Sequence, residues 1–482
     1  MSVSYISTRT GEQASGVETV FRGLARDGGL YLPVGVGEVA GIRSAATLRE
    51  AEELVLAEFF GDMPEGVRRD AVDRLLSRFP AEDPVPLVEK GALHYLELYH
   101  GRTGAFKDVA LSMLPVFMRH AAAGRRVLVL TATSGDTGSA VMQGFAGVES
   151  TEIAVFYPAE GTSRVQRLQM VTPSEPNVHA IGIRGNFDDA QSSVKRIFAD
   201  PAIAAEAAAH GVTLSSANSI NTGRLVPQIA YYVLAGAKLL HQAPGTSGDA
   251  AQAPFDVVVP SGNFGNILAA WYAKRIGAPI RRLVVASNVN DVLARFVKTG
   301  VYEPGPDFTV TNSPSMDIRI SSNVERLLWE LNFEGDAAAA CAATAKLMDD
   351  LRNKGRYELS PSAKARLLAE FDGGVATPEE TEGEMRRLYE EEGYLVDPHT
   401  AVGSFVARRL GYPQGGVPCV VAATATPYKF PETCRRAFGG DAPGDSPPSV
   451  AGLERLPVAQ KRICDVGEMD AVVRELIEGG VQ

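Results

Sequence analysis

Five short stretches of this sequence carry residue types that could do chemistry. Ser261-Gly262-Asn263-Phe264-Gly265-Asn266 follows an apolar run ending at Val259 and precedes a helical pattern. A glycine-bearing loop between a strand and a helix N-terminus suits an oxyanion. The first-turn N–H groups are unpaired, the helix dipole favours negative charge, and glycine lets the backbone come close. With no Walker lysine, a phosphomonoester fits better than a nucleoside triphosphate. The same spacing also reads as a tight βα connection capped by asparagine. Thr133-Ser134-Gly135-Asp136-Thr137-Gly138 stands in the same relation to the run VLVL at 127–130. It suits a carboxylate or a phosphate, and equally an N-cap box built from Ser, Asp and Thr. Two such loops weigh more than one, because ligands of open α/β sheets bind at the carboxyl ends of strands.

The remaining three are less regular. Lys107 stands beside Phe106 at the start of a helical run. Such a lysine is usually solvated. If it is partly buried against Phe106, its pKa falls and it can form a Schiff base. Asn218, Ser219 and Arg224 lie in a donor-rich stretch, SSANSINTGR at 215–224, that opens a long helical pattern. The dipole disfavours arginine at a helix start unless an anion is present, and Arg with Ser and Asn donors makes a good phosphate clamp. Thr424, in the segment 423–427, follows the run CVVA and reads on spacing as a strand end running into proline.

These residues need elements to hold them. Six short apolar runs, at 127–130, 153–157, 178–183, 256–259, 283–286 and 419–422, alternate with turn signals and helical patterns at 188–198, 224–241 and 267–275. Continuous apolar strands followed by helices predict an α/β fold with a parallel sheet covered on both faces. The segments 242–254 and 439–450 read as exposed linkers. The first 90 or so residues are helical in pattern with few strand runs, and 336–389 reads as mostly helical.

Composition bounds the function. The chain has 482 residues, 45% apolar and 22% charged, which is ordinary for a globular protein. Its net charge of −11 does not favour nucleic acid or an anionic membrane, so any anion must be bound locally. Four cysteines, all in the last third and with no C-x-x-C pair, argue for a reducing compartment. The N-terminus lacks the apolar core of a signal peptide, and no run reaches the ~18 apolar residues of a membrane span. A cytoplasmic location is expected. The sequence contains no G-x-G-x-x-G, Walker loop, H-E-x-x-H or G-x-S-x-G, which weakens nucleotide, zinc-hydrolase and serine-hydrolase readings. No metal-ligand spacing is present.

Taken in order, these motifs resemble those of the threonine synthase family, pyridoxal-phosphate enzymes of the fold-type-II, tryptophan-synthase-β-like class. ELYHGRTGAFKD at 97–108 resembles the family's lysine motif. YISTR at 5–9 and GLARDGGLYLP at 23–33 resemble its N-terminal domain. TATSGDTG at 131–138, SANSIN at 216–221, PSGNFGN at 260–266, ASNVND at 286–291 and TATPYKF at 424–430 follow in the family's order. The resemblance thus runs along the whole chain. One departure is Arg102-Thr103-Gly104, where many members carry Pro-Thr-Leu; another is the elaborated linker at 242–254.

The resemblance implies two parallel-sheet domains with helices on both faces and an N-terminal, mostly helical domain at 1–92. A cofactor-binding region at 93–440 would embed a smaller domain at about 118–215, followed by an extension at 441–482. Pyridoxal 5'-phosphate would be linked to Lys107 beside Phe106, with its phosphate cradled by Gly262, Asn263, Phe264, Gly265 and Asn266. Thr424 would face the ring nitrogen as a neutral hydroxyl, which moderates the electron sink. Ser134, Asp136 and Thr137 would hold the substrate carboxylate; Asn218, Ser219 and Arg224 would hold a substrate phosphate. The implied reaction converts O-phosphohomoserine and water to threonine and phosphate. Lys107 would remove the α-proton, loss of a Cβ proton would expel phosphate from Cγ, and water would add at Cβ. Leakage to 2-oxobutyrate must be avoided, so a lid is expected. The rivals are a threonine or serine dehydratase or a cysteine synthase, which need no second phosphate site, and a non-catalytic phosphate-ligand binder, which needs no Lys107.

Overall fold

Each of the six apolar runs forms a strand in the computed structural model, which describes residues 3–133, 135–160, 162–242, 254–305 and 308–479. They divide between two sheets. Arg126–Ala132, Thr151–Pro158 and Val178–Arg184 lie in a five-stranded, all-parallel sheet, with Val212–Ser216 on one edge and Ile463–Asp465 on the other. Phe255–Pro260, Ile280–Ser287 and Cys419–Ala423 lie in a six-stranded sheet with Phe371–Val375, Leu93–Glu97 and Leu87–Lys90; the last two strands pair antiparallel and the others parallel.

The order of the strands matters for function. In the smaller sheet the chain leaves Arg126–Ala132, adds two strands on one side, then returns to place Val212–Ser216 on the other. In the larger sheet it leaves Phe255–Pro260, adds Ile280–Ser287 and Phe371–Val375 on one side, then returns to place Cys419–Ala423 on the other. Each sheet therefore has a switch point, where connections diverge and leave a crevice at the carboxyl ends. Thr133, Gly135, Asp136 and Asn218 follow the strands at the first switch point; Ser261–Asn266 and Thr424 follow those at the second.

Several elements differ from the sequence expectation. The pattern at 224–241 is not one helix: it breaks into Thr222–Leu225 and Pro227–Gln242. Pro227 has no N–H to continue the ladder, so Arg224 sits in a single turn rather than at the head of a long helix. The N-terminal region carries a three-stranded antiparallel sheet, Gln13–Ala14, Ser4–Ser7 and Tyr31–Val34, beside its helices Gly16–Arg22, Leu48–Phe59 and Glu65–Leu76. Phe371–Val375 (FDGGV) is a strand inside the stretch read as helical. Residues 243–253 of the expected linker lie outside the described residues. After Ile463–Asp465 the helix Met469–Glu478 buries Val472, Val473, Leu476 and Ile477 against Ile181, Ile183 and Ile203. All four cysteines are buried and unpaired. Among the described residues no helix is long and apolar enough to cross a membrane.

The helix Lys107–Ala122 joins the two halves. Val109, Leu111, Leu114 and Phe117 are buried, and its neighbour is the helix Asp136–Phe145. Gly144 allows the close approach: a Cβ there would lie 2.2 Å from the Leu111 carbonyl oxygen. That contact sets the spacing between the helices that begin at Lys107 and Asp136. Gly144→Ala is expected to cost about 1–3 kcal/mol by overpacking, read as a lowered midpoint of thermal unfolding. An unchanged midpoint would mean that the helix crossing tolerates an extra methyl.

Candidate active site

Lys107 is the first residue of its helix, held there by the backbone around it. Phe106 N donates to the Thr424 carbonyl at 2.8 Å, and Asp108 accepts from Thr103 N at 2.8 Å and Thr103 Oγ1 at 2.6 Å. The Lys107 side chain is almost fully buried, 11% exposed, its Nζ 4.6 Å from the Phe106 ring centroid and 3.4 Å from Asp136 Oδ2. Burial lowers the Lys107 pKa; Asp136 opposes that, while Lys429 and Arg224 add to it. Burial alone would raise the Asp136 carboxyl, but Lys429 and Lys107 beside it hold it well below the usual carboxylate range. Asp136 Oδ1 accepts from Gln166 Nε2 at 2.7 Å and lies 2.8 Å from Lys429 Nζ. An amine held out of water beside a committed carboxylate is a candidate for chemistry, unlike a solvated surface lysine.

The loop after Phe255–Pro260 has the form of an anion cradle. Phe264 adopts φ +62°, a left-handed conformation that costs a bulky residue ~1–3 kcal/mol. That turn starts the helix Gly265–Arg275, whose first N–H groups have no helical acceptor. Gly262 packs so closely that a Cβ would lie 2.3 Å from the Ser315 carbonyl oxygen. Ser321 Oγ donates to the Gly262 carbonyl at 2.7 Å, and Asn323 Nδ2 donates to the Asn263 carbonyl at 2.9 Å. Asn266 accepts at Oδ1 from the Tyr232 hydroxyl, but its Nδ2 is buried without a partner among the described residues.

Thr424 is tied to this loop from behind. Its N–H donates to Thr400 Oγ1 at 3.1 Å, and Thr400 Oγ1 donates to Asp397 Oδ1. Asp397 Oδ2 faces His399 Nδ1 at 2.6 Å, and His399 Nε2 accepts from Ser315 N at 3.1 Å. A ring nitrogen that accepts a backbone N–H carries no proton, so the imidazole proton lies on Nδ1, toward Asp397. One chain of hydrogen bonds thus spans from Thr424 to the residue that packs on Gly262.

A second polar cluster lies beside the first. Asn323 Nδ2 also donates to the Ser219 carbonyl at 3.2 Å, and a Cβ placed on Gly265 would lie 4.0 Å from the Ser219 side chain. Arg224 is buried; Nη1 donates to the Ala217 carbonyl at 2.7 Å, while Nε has no partner among the described residues. Burial lowers its pKa to about 10. Asn218 Oδ1 is likewise buried and unpartnered. A buried guanidinium with an unused N–H and no carboxylate is a site that wants an anion.

The structure brings together Lys107, Phe106, Asp136 and Thr424, and sets the Gly262–Asn266 loop against Ser219. Thr137 lies in the first turn of the Asp136–Phe145 helix, half-buried. Ser134 lies outside the described residues. Among the described residues the helix is capped by neither Asp136 nor Thr137: Thr133 Oγ1 accepts from Gly135 N at 3.0 Å and Gly138 N at 3.1 Å. Arg102 is exposed. Sequence reasoning missed Gln166, Asn323, Arg326 and Lys429. Lys429 stood within the quoted TATPYKF, but a lysine between two aromatics carries no sign of burial. Asn323 and Arg326 act through the backbone: Arg326 Nε donates to the Tyr31 carbonyl at 2.7 Å and Nη2 to the Ile220 carbonyl at 2.5 Å.

A buried lysine of lowered pKa, a glycine-dependent phosphate cradle and an unpartnered Asn266 amide fit a phosphate-bearing aldehyde cofactor. Comparison with known proteins agrees. The model of the pyridoxal-phosphate dependent enzyme family matches residues 90–424, and those of the threonine synthase N terminus and C-terminal regions match residues 4–65 and 400–477. A threonine synthase of Eremothecium gossypii is 35% identical, covering 99% of this chain and 98% of its own. One of Pseudomonas aeruginosa is 36% identical, covering 91% of each. Among solved structures, the pyridoxal-phosphate-bound threonine synthase of Brucella melitensis superposes with a TM-score of 0.88 at 36% identity, over 98% of this chain and 99% of that one. Yeast threonine synthase gives a TM-score of 0.88 at 31% identity, over 99% and 98%. With the lysine and the cradle in place and relatives of this kind along its whole length, the chain belongs to the threonine synthase family of pyridoxal-phosphate dependent lyases, with pyridoxal 5'-phosphate as its cofactor.

Proposed function

We propose that the chain converts O-phosphohomoserine and water to threonine and phosphate, with Lys107 as its catalytic residue. The observation that carries the choice of substrate is the second anion site: Arg224 Nε, buried and unpartnered beside a cradle that already serves the cofactor. With the substrate carboxylate assigned to the start of the Asp136–Phe145 helix, an unphosphorylated amino acid would leave that charge unused.

Gly262, Asn263, Phe264, Gly265 and Asn266 would hold the cofactor phosphate, Phe106 and Lys107 its aldehyde end, and Thr424 its ring nitrogen. The cofactor when bound supplies an electron sink for the carbons next to the amino group. Lys107 moves the protons. Its lowered pKa raises the fraction of free amine near neutral pH, which is the form that accepts the α-proton. Arg224, Asn218 and Ser219 bind the substrate phosphate and hold it as it leaves. The role of Asp136 differs from the sequence-based assignment. Its carboxylate is ionised and engaged by two lysines, so it does not itself receive a substrate carboxylate. The backbone N–H groups at the start of its helix, with Thr137 and Ser134, take that task. The four unpaired cysteines fit a reducing, cytoplasmic setting.

The reading is tested by incubating the protein with pyridoxal phosphate and O-phosphohomoserine and quantifying threonine and free phosphate together. Equal amounts are expected, both lost in Lys107→Ala; phosphate accompanied by 2-oxobutyrate would replace synthase with phospho-lyase chemistry. Arg224→Ala is expected to lower kcat/KM by about a hundredfold, roughly 2.7 kcal/mol, for loss of a charge-assisted clamp. Full activity in that variant would move the substrate phosphate elsewhere. Gly262→Ala is expected to weaken cofactor binding at least about tenfold, since the added methyl must displace a backbone carbonyl. Equilibrium dialysis against pyridoxal phosphate checks this, and an unchanged Kd would remove Gly262 from the cradle.

A further inference from the structure

Lys429 takes no part in the reaction above, yet its side chain is fully buried. It ends the short helical turn Pro427–Lys429, which follows the strand Cys419–Ala423 of the larger sheet. Its Nζ donates to the Thr103 carbonyl at 2.8 Å and lies 2.8 Å from Asp136 Oδ1; its own carbonyl accepts from Ser163 Oγ at 3.2 Å. Three segments meet here: the loop leading into Lys107, the first turn of the Asp136–Phe145 helix, and the N-cap of the helix Arg164–Val171. Burying an ammonium is costly unless a carboxylate faces it. Here the carboxylate it faces already faces Lys107, so two cations share one anion. Gln166 also donates to Oδ1, which leaves Oδ2 for Lys107. Two other charged groups bear on this point. Arg224 acts on Lys107 in the same sense as Lys429. Asp108 is committed to Thr103.

We propose that Lys429 is a positioning residue that anchors Asp136 Oδ1 across the junction of the two sheets and offsets its charge, so that the Lys107 nitrogen gives up its proton more readily than it would beside Asp136 alone. The electrostatics run the same way: Asp136 raises the Lys107 pKa and Lys429 lowers it. The proposal depends on cofactor binding at Lys107 and not on which substrate is used.

The test is a pH titration of the visible absorption band of the protein loaded with pyridoxal phosphate, a readout independent of turnover. Lys429→Met is expected to raise the midpoint by on the order of one pH unit, because a repelling cation is gone while Asp136 remains. Asp136→Asn is expected to lower it. The double variant, with both charges removed, should return toward the wild-type midpoint, and Lys429→Arg should stay near it. A purely structural role would not produce opposed shifts that cancel. The proposal is overturned if Lys429→Met leaves the midpoint unchanged while thermal unfolding shows the fold intact, or if both single variants shift it the same way. Should Lys429→Met fail to fold, Lys429→Arg and the double variant decide: a double variant that keeps the midpoint of Asp136→Asn refutes the offset.

Discussion

Asp136 lies buried between Lys107 Nζ at 3.4 Å and Lys429 Nζ at 2.8 Å, and the candidate active site is organised around that shared charge. None of the three could be buried alone. Removing an ion from water costs several kcal/mol, repaid only where an opposite charge and further hydrogen bonds are waiting. The partners come from different parts of the chain: Asp136 from the end of a strand in the smaller sheet, Lys429 from the end of one in the larger sheet, Lys107 from the helix between them. The two sheets must therefore be correctly placed before any of these charges is stabilised. Gln166 and the Thr103 carbonyl complete the set.

Around this point lie the two places proposed for anions, in a chain whose net charge is −11. Neither depends on a long-range positive field. The first uses the N-terminus of Gly265–Arg275, approached through the left-handed Phe264 and the close packing of Gly262 on Ser315. The second uses one buried arginine with an unused N–H. Asn323 couples them by donating to the carbonyls of both Asn263 and Ser219. Behind the first, the chain Thr424–Thr400–Asp397–His399–Ser315 makes Thr424 and the Gly262 loop parts of one network. Strain at Phe264 persists because this surrounding structure over-determines it.

Much of this is legible in the sequence. The six central strands announced themselves as continuous β-branched runs, because helices cover both their faces and no polar alternation is required. The loops after 127–130 and 256–259 stood at carboxyl ends of strands, where α/β sheets bind ligands. Edge elements did not announce themselves. Phe371–Val375 carries two glycines in five residues, and Gln13–Ala14 is two residues long. Their pairing is supplied by neighbours rather than by their own composition. The helix expected at 224–241 failed at Pro227, a breaker within a strongly apolar pattern.

The order of residues along the chain was sufficient for the fold class and the family, and it singled out Lys107 and two loops as candidates. Each is a local signal: a run, a turn, a cap, or a motif met in a known order. The division of six similar strands into two sheets required the tertiary structure, because strands that look alike in sequence differ only in which neighbour they find. The pairing of Lys429 with Asp136, 293 positions apart, required it as well. A lysine is charged and long whether it ends in water or in the core, and only the surrounding packing decides which. Burial turns those same charges from solvated surface groups into a coupled set.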